Sequence, residues 1–133
     1  MFVFNFSLKF RIILIAISLA LIFIGTIFIV SAASPTYIAR KALLQKGYSV
    51  GDEPIEVADV NIPSEFDAVY TNYNKIMRQA GYDLTPYKGK LCVRVTYYNE
   101  RTPGERLDIL IYKGKIIGGD RCTVALDGYM LPI

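Results

Sequence analysis

The stretch that decides the fold lies at residues 91–98 and reads Leu-Cys-Val-Arg-Val-Thr-Tyr-Tyr. Two sets of side chains alternate along it: Leu91, Val93, Val95 and Tyr97 form one, and Cys92, Arg94, Thr96 and Tyr98 form the other. Because successive side chains of a strand point to opposite faces, this period of two predicts a half-buried β-strand.

The residues that follow repeat this pattern. Residues 106–112 place Leu107, Ile109 and Ile111 on one face. Lys113-Gly114 is then short enough for a two-residue hairpin into residues 115–118. Three successive strands with short connections predict an antiparallel meander that packs one face against a core.

A helix is predicted at residues 64–80, before the meander. Its apolar residues recur at helical spacing on one continuous face: Phe66, Val69, Tyr70, Tyr73, Ile76, Met77 and Ala80. Ser64 with Asp67 resembles a capping box, and Gly81 is a typical stop. We expect this face to cover the apolar side of the sheet, which predicts an α+β fold.

Two more elements are predicted upstream of this helix. Residues 53–62 alternate as a strand does, but the apolar phase reverses at Ala58-Asp59, which indicates a bulge. Residues 35–46 favour a helix that follows Ser34-Pro35 and ends at Gly47. The alternative is one long helix that leaves the bilayer and bends near Pro35.

The N-terminal segment has the properties of a membrane anchor. No charged residue occurs between Arg11 and Arg40, and residues 12–30 are almost entirely apolar. As a helix these residues extend over roughly 28 Å, which matches a hydrocarbon core of about 30 Å. We therefore predict that residues 1–33 form a short basic head and a transmembrane signal anchor, with residues 12–30 in the lipid bilayer.

A cleaved signal peptide is the alternative interpretation, because residues 31–33 resemble a cleavage site. The apolar stretch is longer than the h-region of about 7 to 15 residues that such a peptide contains, which favours an uncleaved anchor. Basic residues flank the stretch almost equally on both sides. A basic head before an apolar core is what the export machinery recognises, so we predict a single-pass plasma membrane protein with an extracytoplasmic C-terminal domain.

Residues 34–133 are enough for one small domain. Two of the fifteen basic residues, Lys9 and Arg11, precede the span, which leaves thirteen against twelve acidic residues in this domain. Such a balance gives no basic stripe for nucleic acid. Histidine is absent from the sequence, which removes the commonest general base and the commonest transition-metal ligand. We expect no catalytic residue, cofactor or metal.

Three aspartates near glycines, Asp83, Asp120 and Asp127, are candidates for an acidic or metal site or for turn positions. Their spacing is unlike that of a Ca²⁺ loop, so turns are expected. In the predicted meander, Asp83 precedes the first strand and Asp120 follows the third. We expect these two to lie at opposite poles and not to form a joint site.

The two cysteines, Cys92 and Cys122, are predicted to remain thiols. A middle strand separates their strands by about 10 Å, whereas a disulfide needs Cα atoms within about 7 Å. Without a histidine in the sequence, neither thiol is a convincing nucleophile.

Exposed tyrosines and charged residues are the remaining candidates for contact with a ligand or a partner protein, because aromatic side chains stack on sugars and anchor interfaces. The candidates are Tyr82, Asp83, Tyr87, Lys88, Arg94, Tyr98 and Asp120. The alternative is that most of the tyrosines form the edge of a core that contains no tryptophan.

Several separated motifs resemble one known family. They are Ile-Pro-Ser-Glu-Phe-Asp-Ala-Val-Tyr at residues 62–70, residues 81–90, Ile-Gly-Gly-Asp at 117–120 and Asp-Gly-Tyr-Met at 127–130. The sequence resembles, over roughly residues 36–131, an uncharacterised family of membrane-anchored proteins from Gram-positive bacteria, the domain of unknown function numbered forty-eight thirty. Residues 99–105 do not align with it. The resemblance implies an anchor and a small domain, and it implies no enzyme, cofactor or catalytic residue.

Two function classes fit these observations. The first is a membrane-tethered, non-enzymatic module that binds or regulates another envelope protein. The second is a binding module for a cell-wall polymer or a small ligand, which would use the loop tyrosines and lysines. An enzyme ranks third.

Overall fold

The computed structural model describes residues 7–133, with side chains described for residues 7–26 and 34–133. The first six residues of the predicted basic head lie outside this range. Helix α1 spans Leu8–Ala33. Over Leu8–Thr26 it is long and apolar enough to cross a membrane. This length and composition suit a single-pass anchor, and a signal sequence has the same properties.

The chain divides after Ala33, and residues 34–133 form a compact unit of their own. Helix α2 spans Pro35–Gln45, and Ser34 before it is extended, with φ −60° and ψ 130°. The structure therefore has two helices rather than one that continues through Pro35. The stop at Gly47 is confirmed, because this glycine has a φ of 92°, where a side chain would be strained.

The sheet has five antiparallel strands in sequence order. Its strands are β1 Glu56–Asn61, β2 Leu91–Tyr98, β3 Glu105–Tyr112, β4 Lys115–Thr123 and β5 Met130–Pro132. Helix α3, Ala68–Gln79, and a 3-10 turn at Thr85–Tyr87 connect β1 to β2. The predicted α+β fold with an antiparallel meander is confirmed. Strand β4 continues beyond residue 118, and β5 was not predicted.

The hairpin between β3 and β4 forms where the sequence predicts it. Lys113 and Gly114 have φ angles of 48° and 77°, both in the left-handed region. Two such residues make the type of turn whose twist matches that of the flanking strands. Past the turn, Ile117 of β4 forms a bulge that shifts the register by one residue between Ile111 and Leu110, and this shift sets the pairing of the rest of the two strands.

The two helices of the domain cover opposite faces of the sheet. Ala39 and Leu43 of α2 pack against one face, in a core that includes Val95, Tyr97, Leu107, Ile109 and Ile111. Met77 of α3 packs against the other face, in a core that includes Leu84, Cys92, Leu110 and Ile117. The expectation that the helix at 64–80 covers the face of Val95 is therefore wrong. Helix α2 already covers that face, so α3 packs on the face that alternation had left to solvent.

Two local predictions also differ from the structure. Strand β1 pairs with β2 in unbroken register, so there is no bulge at Ala58-Asp59. The apolar phase reverses because both faces of the sheet are covered: Val57 lies on the face of Val95, whereas Val60 and Ile62 pack in the core on the α3 side. Helix α3 is capped by Asp67, whose carboxylate accepts a hydrogen bond from the Tyr70 amide at 2.8 Å, and it does not begin at Ser64.

Candidate functional site

A cleft of about 470 Å³ lies between α3 and the sheet. Most of its wall is apolar or aromatic, and a few polar side chains converge in it. Its lining residues are Val60, Val69, Tyr70, Asn72, Tyr73, Ile76, Arg94, Asp108, Leu110, Asp120 and Met130. A volume of this size is within the range of about 300 to 1,000 Å³ that is usual for small-molecule sites.

Glycine allows the helix to pack closely beside the cleft. A Cβ atom on Gly118 of β4 would lie 2.9 Å from Sδ of Met77, a buried residue of α3. The same sulfur lies 3.3 Å from the amide nitrogen of Gly119. Glycine within a strand often marks such a close approach. The two glycines therefore let α3 pack closely against β4, and this position of the helix places Tyr73 above the carboxylates of the sheet.

The floor of the cleft is a polar row across three strands. Thr96 of β2 is directly opposite Asp108 of β3, and Asp108 is directly opposite Asp120 of β4. Asp108 is 8% exposed and Asp120 is 1% exposed. Cys122 lies two residues further along β4, on the same face of the sheet. The structure thus buries two carboxylates side by side beneath α3, with the half-buried Cys122 thiol next to them.

Each carboxylate has one oxygen held by a neutral hydroxyl group. Thr96 Oγ1 donates to Asp108 Oδ1, and the Tyr73 hydroxyl donates to Asp120 Oδ1 at 2.9 Å. The Cys122 thiol donates weakly to Asp108 Oδ2 at 3.9 Å. The second oxygen of Asp120, Oδ2, is buried and has no hydrogen-bond partner among the described residues.

Burial and mutual repulsion shift the protonation equilibria of this group. Burial, followed by the charge of Asp108, raises the pKa of Asp120 to about 6. Burial and the two carboxylates raise the pKa of Cys122 to about 11. Burial and Asp120 also raise the pKa of Tyr73. At neutral pH the thiol and the phenol are therefore protonated and act as donors.

The nearby guanidinium groups are bound elsewhere. Arg94, which lines the cleft, donates to Glu56 Oε1 at 2.9 Å, and Arg106 donates to Glu56 Oε2 at 3.2 Å. Within residues 7–133, no lysine or arginine forms an ion pair with Asp108 or Asp120. The two buried carboxylates thus have only neutral hydrogen-bond donors.

A second, smaller cleft of about 330 Å³ lies at another place on the domain. It contains three of the candidate contact residues, Tyr82, Asp83 and Tyr87. The Asp83 carboxylate accepts hydrogen bonds from the Asn74 side chain and the Thr85 amide, both at 2.9 Å. These bonds lower the pKa of Asp83. In this position Asp83 joins the end of α3 to the following turn.

The seven candidate contact residues are therefore dispersed. Arg94 and Asp120 line the first cleft, and the three residues named above line the second. The ammonium group of Lys88 lies 4.7 Å from the centre of the Phe66 ring, and Tyr98 is exposed at the end of β2. Asp120 lies within β4 and not in a loop, which corrects the placement predicted from the sequence.

The cysteines are both free thiols, as predicted. Cys92 is on β2 and Cys122 is on β4, with β3 between them. Strand β3 thus separates the two cysteines, as predicted, and this separation explains why they form no disulfide. Only Cys122 contacts the carboxylate pair.

The residues that build the floor are not predicted from the sequence: the helical pattern places Tyr73 in the core, and no local pattern combines Thr96, Asp108 and Cys122 into a site. The signal that points to them is the pairing register. Thr96, Asp108 and Asp120 fall into one row only when β2, β3 and β4 are aligned with the one-residue bulge at Ile117, which the Lys113-Gly114 turn alone does not predict. The alternating pattern places that row on the solvent face of the sheet, where polar residues need no special explanation.

Comparison with known families finds a match over more than half of the chain. A family model described as a domain of unknown function (DUF4830) matches residues 43–120. The matched region includes Thr96, Asp108 and Asp120, and it ends before Cys122. Comparison with curated proteins and comparison with solved structures find no match.

Proposed function

The chain belongs to the DUF4830 family, a domain of unknown function, as its sequence motifs indicated, and we propose that it is a membrane-tethered, non-enzymatic module that binds a small ligand in the cleft between α3 and the sheet. The observation that carries this proposal is the cleft itself. It combines an apolar wall with polar groups that converge at its floor, which is the usual composition of a ligand site.

The lining of the cleft suggests an amphipathic ligand. Tyr70, Ile76 and Leu110 offer an apolar wall for a ring or a short alkyl chain. The carboxylates at the floor attract a polar end, and Asn72 and Arg94 add polar contacts on the wall. A wall-derived fragment or another small molecule with one apolar and one polar end has this chemistry.

The state of the thiols supports a non-enzymatic role. Cys122 has a pKa raised to about 11, so its nucleophilic thiolate form is scarce at neutral pH. Burial also raises the pKa of Cys92. No histidine is present in the sequence to activate either thiol.

Binding is tested with the full chain in lipid nanodiscs, by saturation-transfer NMR. The two probes are phenethylamine and 3-phenylpropionate, which share an apolar body and differ in the charge of the polar end. Val60→Trp should block the cleft, because Val60 lines it. Val57→Trp, on the same strand and more exposed, is the matched control.

The proposal predicts that at least one probe binds the wild type and Val57→Trp, and loses its signal with Val60→Trp and with empty nanodiscs. It is wrong if neither probe binds, or if binding survives in the Val60→Trp protein.

We propose that the domain lies outside the cell. The support is the basic head with Lys9 and Arg11 before an apolar helix of membrane-spanning length. A protease added to intact cells stripped of their wall should remove residues 34–133. Protection of the domain until the membrane is permeabilised would place it in the cytoplasm.

A second proposal is that the domain binds another envelope protein. It is favoured by apolar side chains in the segment between β4 and β5, where Val124 is 78% exposed and Leu126 is fully exposed. This segment leads to Met130 at the wall of the cleft. Crosslinking on native membranes should give a discrete adduct that is lost with Leu126→Asp and retained with Val57→Asp. An adduct that is unchanged by Leu126→Asp would exclude this surface.

A further inference from the structure

The side chains at the floor of the cleft offer three ligand atoms at metal-binding spacing. One atom each from Asp108, Asp120 and Cys122 lies within 4.8 Å of the other two. Cys122 Sγ lies 3.9 Å from Asp108 Oδ2. In a tetrahedral zinc site, oxygen and sulfur ligands lie about 3.4 to 3.6 Å apart, so these two atoms need to approach by only about half an ångström, and the other pairs by no more than about 1.5 Å, to share one ion.

The hydrogen bonds leave specific atoms available. Thr96 occupies Oδ1 of Asp108, and Tyr73 occupies Oδ1 of Asp120. Oδ2 of Asp108 faces the thiol, and Oδ2 of Asp120 is buried and has no partner within residues 7–133. In protein metal sites, a carboxylate that binds the metal through one oxygen is typically oriented by a neighbouring residue that hydrogen-bonds its second oxygen. Thr96 and Tyr73 are placed to do this here.

Charge favours a cation at the same point. Like charges directly opposite each other on neighbouring strands are destabilising, and burial increases the cost. Asp108 and Asp120 have this arrangement, and their contacts are with neutral groups. The guanidinium groups of Arg94 and Arg106, on the same face of the sheet, are both bound to Glu56.

We propose that Asp108, Asp120 and Cys122 bind one Zn²⁺ ion at the floor of the cleft. Carboxylate oxygens alone suit Mg²⁺ or Ca²⁺, whereas a thiolate among the ligands selects a softer ion such as Zn²⁺. Three protein ligands leave the fourth position of a tetrahedral ion free. On binding, the ion displaces the thiol proton of Cys122 to solvent. The proposal does not depend on a ligand in the wall of the cleft.

The test uses the full chain in nanodiscs, with Zn²⁺ titrated against a chromophoric chelator. We expect one Zn²⁺ per chain, and an affinity at least about tenfold lower for Cys122→Ser and for Asp120→Asn. Cys92→Ser and Asp83→Asn are the matched controls, because Cys92 is the other thiol of the sheet and Asp83 lies in the other cleft. Both controls should bind Zn²⁺ as the wild type does.

Substitution with Co²⁺ adds a spectroscopic readout. A thiolate ligand gives an intense charge-transfer band in the near ultraviolet, which should be present in the wild type and Cys92→Ser and absent from Cys122→Ser. Near-ultraviolet circular dichroism of each metal-free variant shows whether it is folded. The proposal is wrong if the folded wild type binds no Zn²⁺, if Cys122→Ser binds it equally well, or if the Co²⁺ form has no thiolate band.

Discussion

Asp108 and Asp120 are directly opposite each other on β3 and β4, and both are buried beneath α3. The Lys113-Gly114 turn alone would place Gly119 opposite Asp108. A bulge in β4 shifts the register by one residue and brings Asp120 opposite Asp108 instead. A folded chain that holds two carboxylates in this position does so at a cost to its stability. Such a cost is common at functional sites, where local rules of stability are broken.

The first prediction concerns this cost. In the presence of a chelator at about pH 7, Asp120→Asn should raise the free energy of unfolding by about 1 to 3 kcal/mol. The folded-state pKa of Asp120 is about 6, whereas the unfolded value is about 3.9. The folded protein therefore loses stability as the pH rises from about 4 through about 6, where the buried carboxyl ionises. The amide has nearly the same shape and no charge.

Urea unfolding of the full chain, followed by near-ultraviolet circular dichroism, measures the effect. Asp127→Asn, at an exposed position, should change the stability by less than about half a kcal/mol. If Asp120→Asn is no more stable than the wild type under chelator, the two carboxylates do not repel each other in the folded protein. Addition of Zn²⁺ should raise the free energy of unfolding of the wild type and of Asp127→Asn, and should leave that of Asp120→Asn unchanged.

The second prediction concerns the phenol above the pair. Tyr73→Phe removes the 2.9 Å hydrogen bond that the phenol donates to Asp120 Oδ1. Hydrogen bonds to charged groups contribute about 1.5 to 3 kcal/mol, so the variant should lose about that much stability near pH 7. Tyr70→Phe is the control, because its hydroxyl makes no hydrogen bond within residues 7–133 and its ring packs beside that of Tyr73. Equal losses in both variants would show that ring packing, and not the bond to Asp120, explains the effect.

The third prediction compares the two adjacent glycines of β4. A Cβ on Gly119 would lie 2.9 Å from the backbone oxygen of Asp108, which cannot move without disturbing β3. A Cβ on Gly118 would lie equally close to Met77 Sδ, but a methionine side chain can shift. Gly119→Ala should therefore lose more stability than Gly118→Ala, with losses of about 1 to 3 kcal/mol for overpacking. Thermal unfolding gives the order, and the reverse order would show that α3 is the less tolerant neighbour.

The order of the elements could be predicted from the sequence because each element has its own local signal. Residues 91–98 alternate cleanly, and Lys113-Gly114 marks a hairpin, so β2, β3 and their neighbours follow from local patterns. Strand β5 has only three residues and includes Pro132, which leaves too short a pattern to recognise.

The side of the sheet that each helix covers could not be predicted in the same way. Alternation distinguishes two faces and leaves the more polar one to solvent. In this domain the polar face is also buried, since Cys92 and Leu110 on it pack beneath α3. Thr96, Asp108 and Asp120 become a site only through that burial, so the site depends on tertiary packing that no local pattern contains.

The last prediction concerns pH and the second cleft. Hydrogen bonds from the Asn74 side chain and from Thr85 hold the pKa of Asp83 well below its ordinary value, and Arg78 at 3.3 Å adds a weaker charge effect. An aspartate with a lowered folded-state pKa stabilises the fold fully above its unfolded pKa of about 3.9 and loses that contribution as pH falls through the folded value. Asp83→Asn should thus be less stable than the wild type near pH 6, and the difference should shrink steadily below about pH 4. Parallel urea titrations of the wild type, Asp83→Asn and the exposed Asp127→Asn across this range measure it. A difference between the wild type and Asp83→Asn that stays constant down to about pH 2 would show that shape, and not the carboxylate charge, holds the turn after α3.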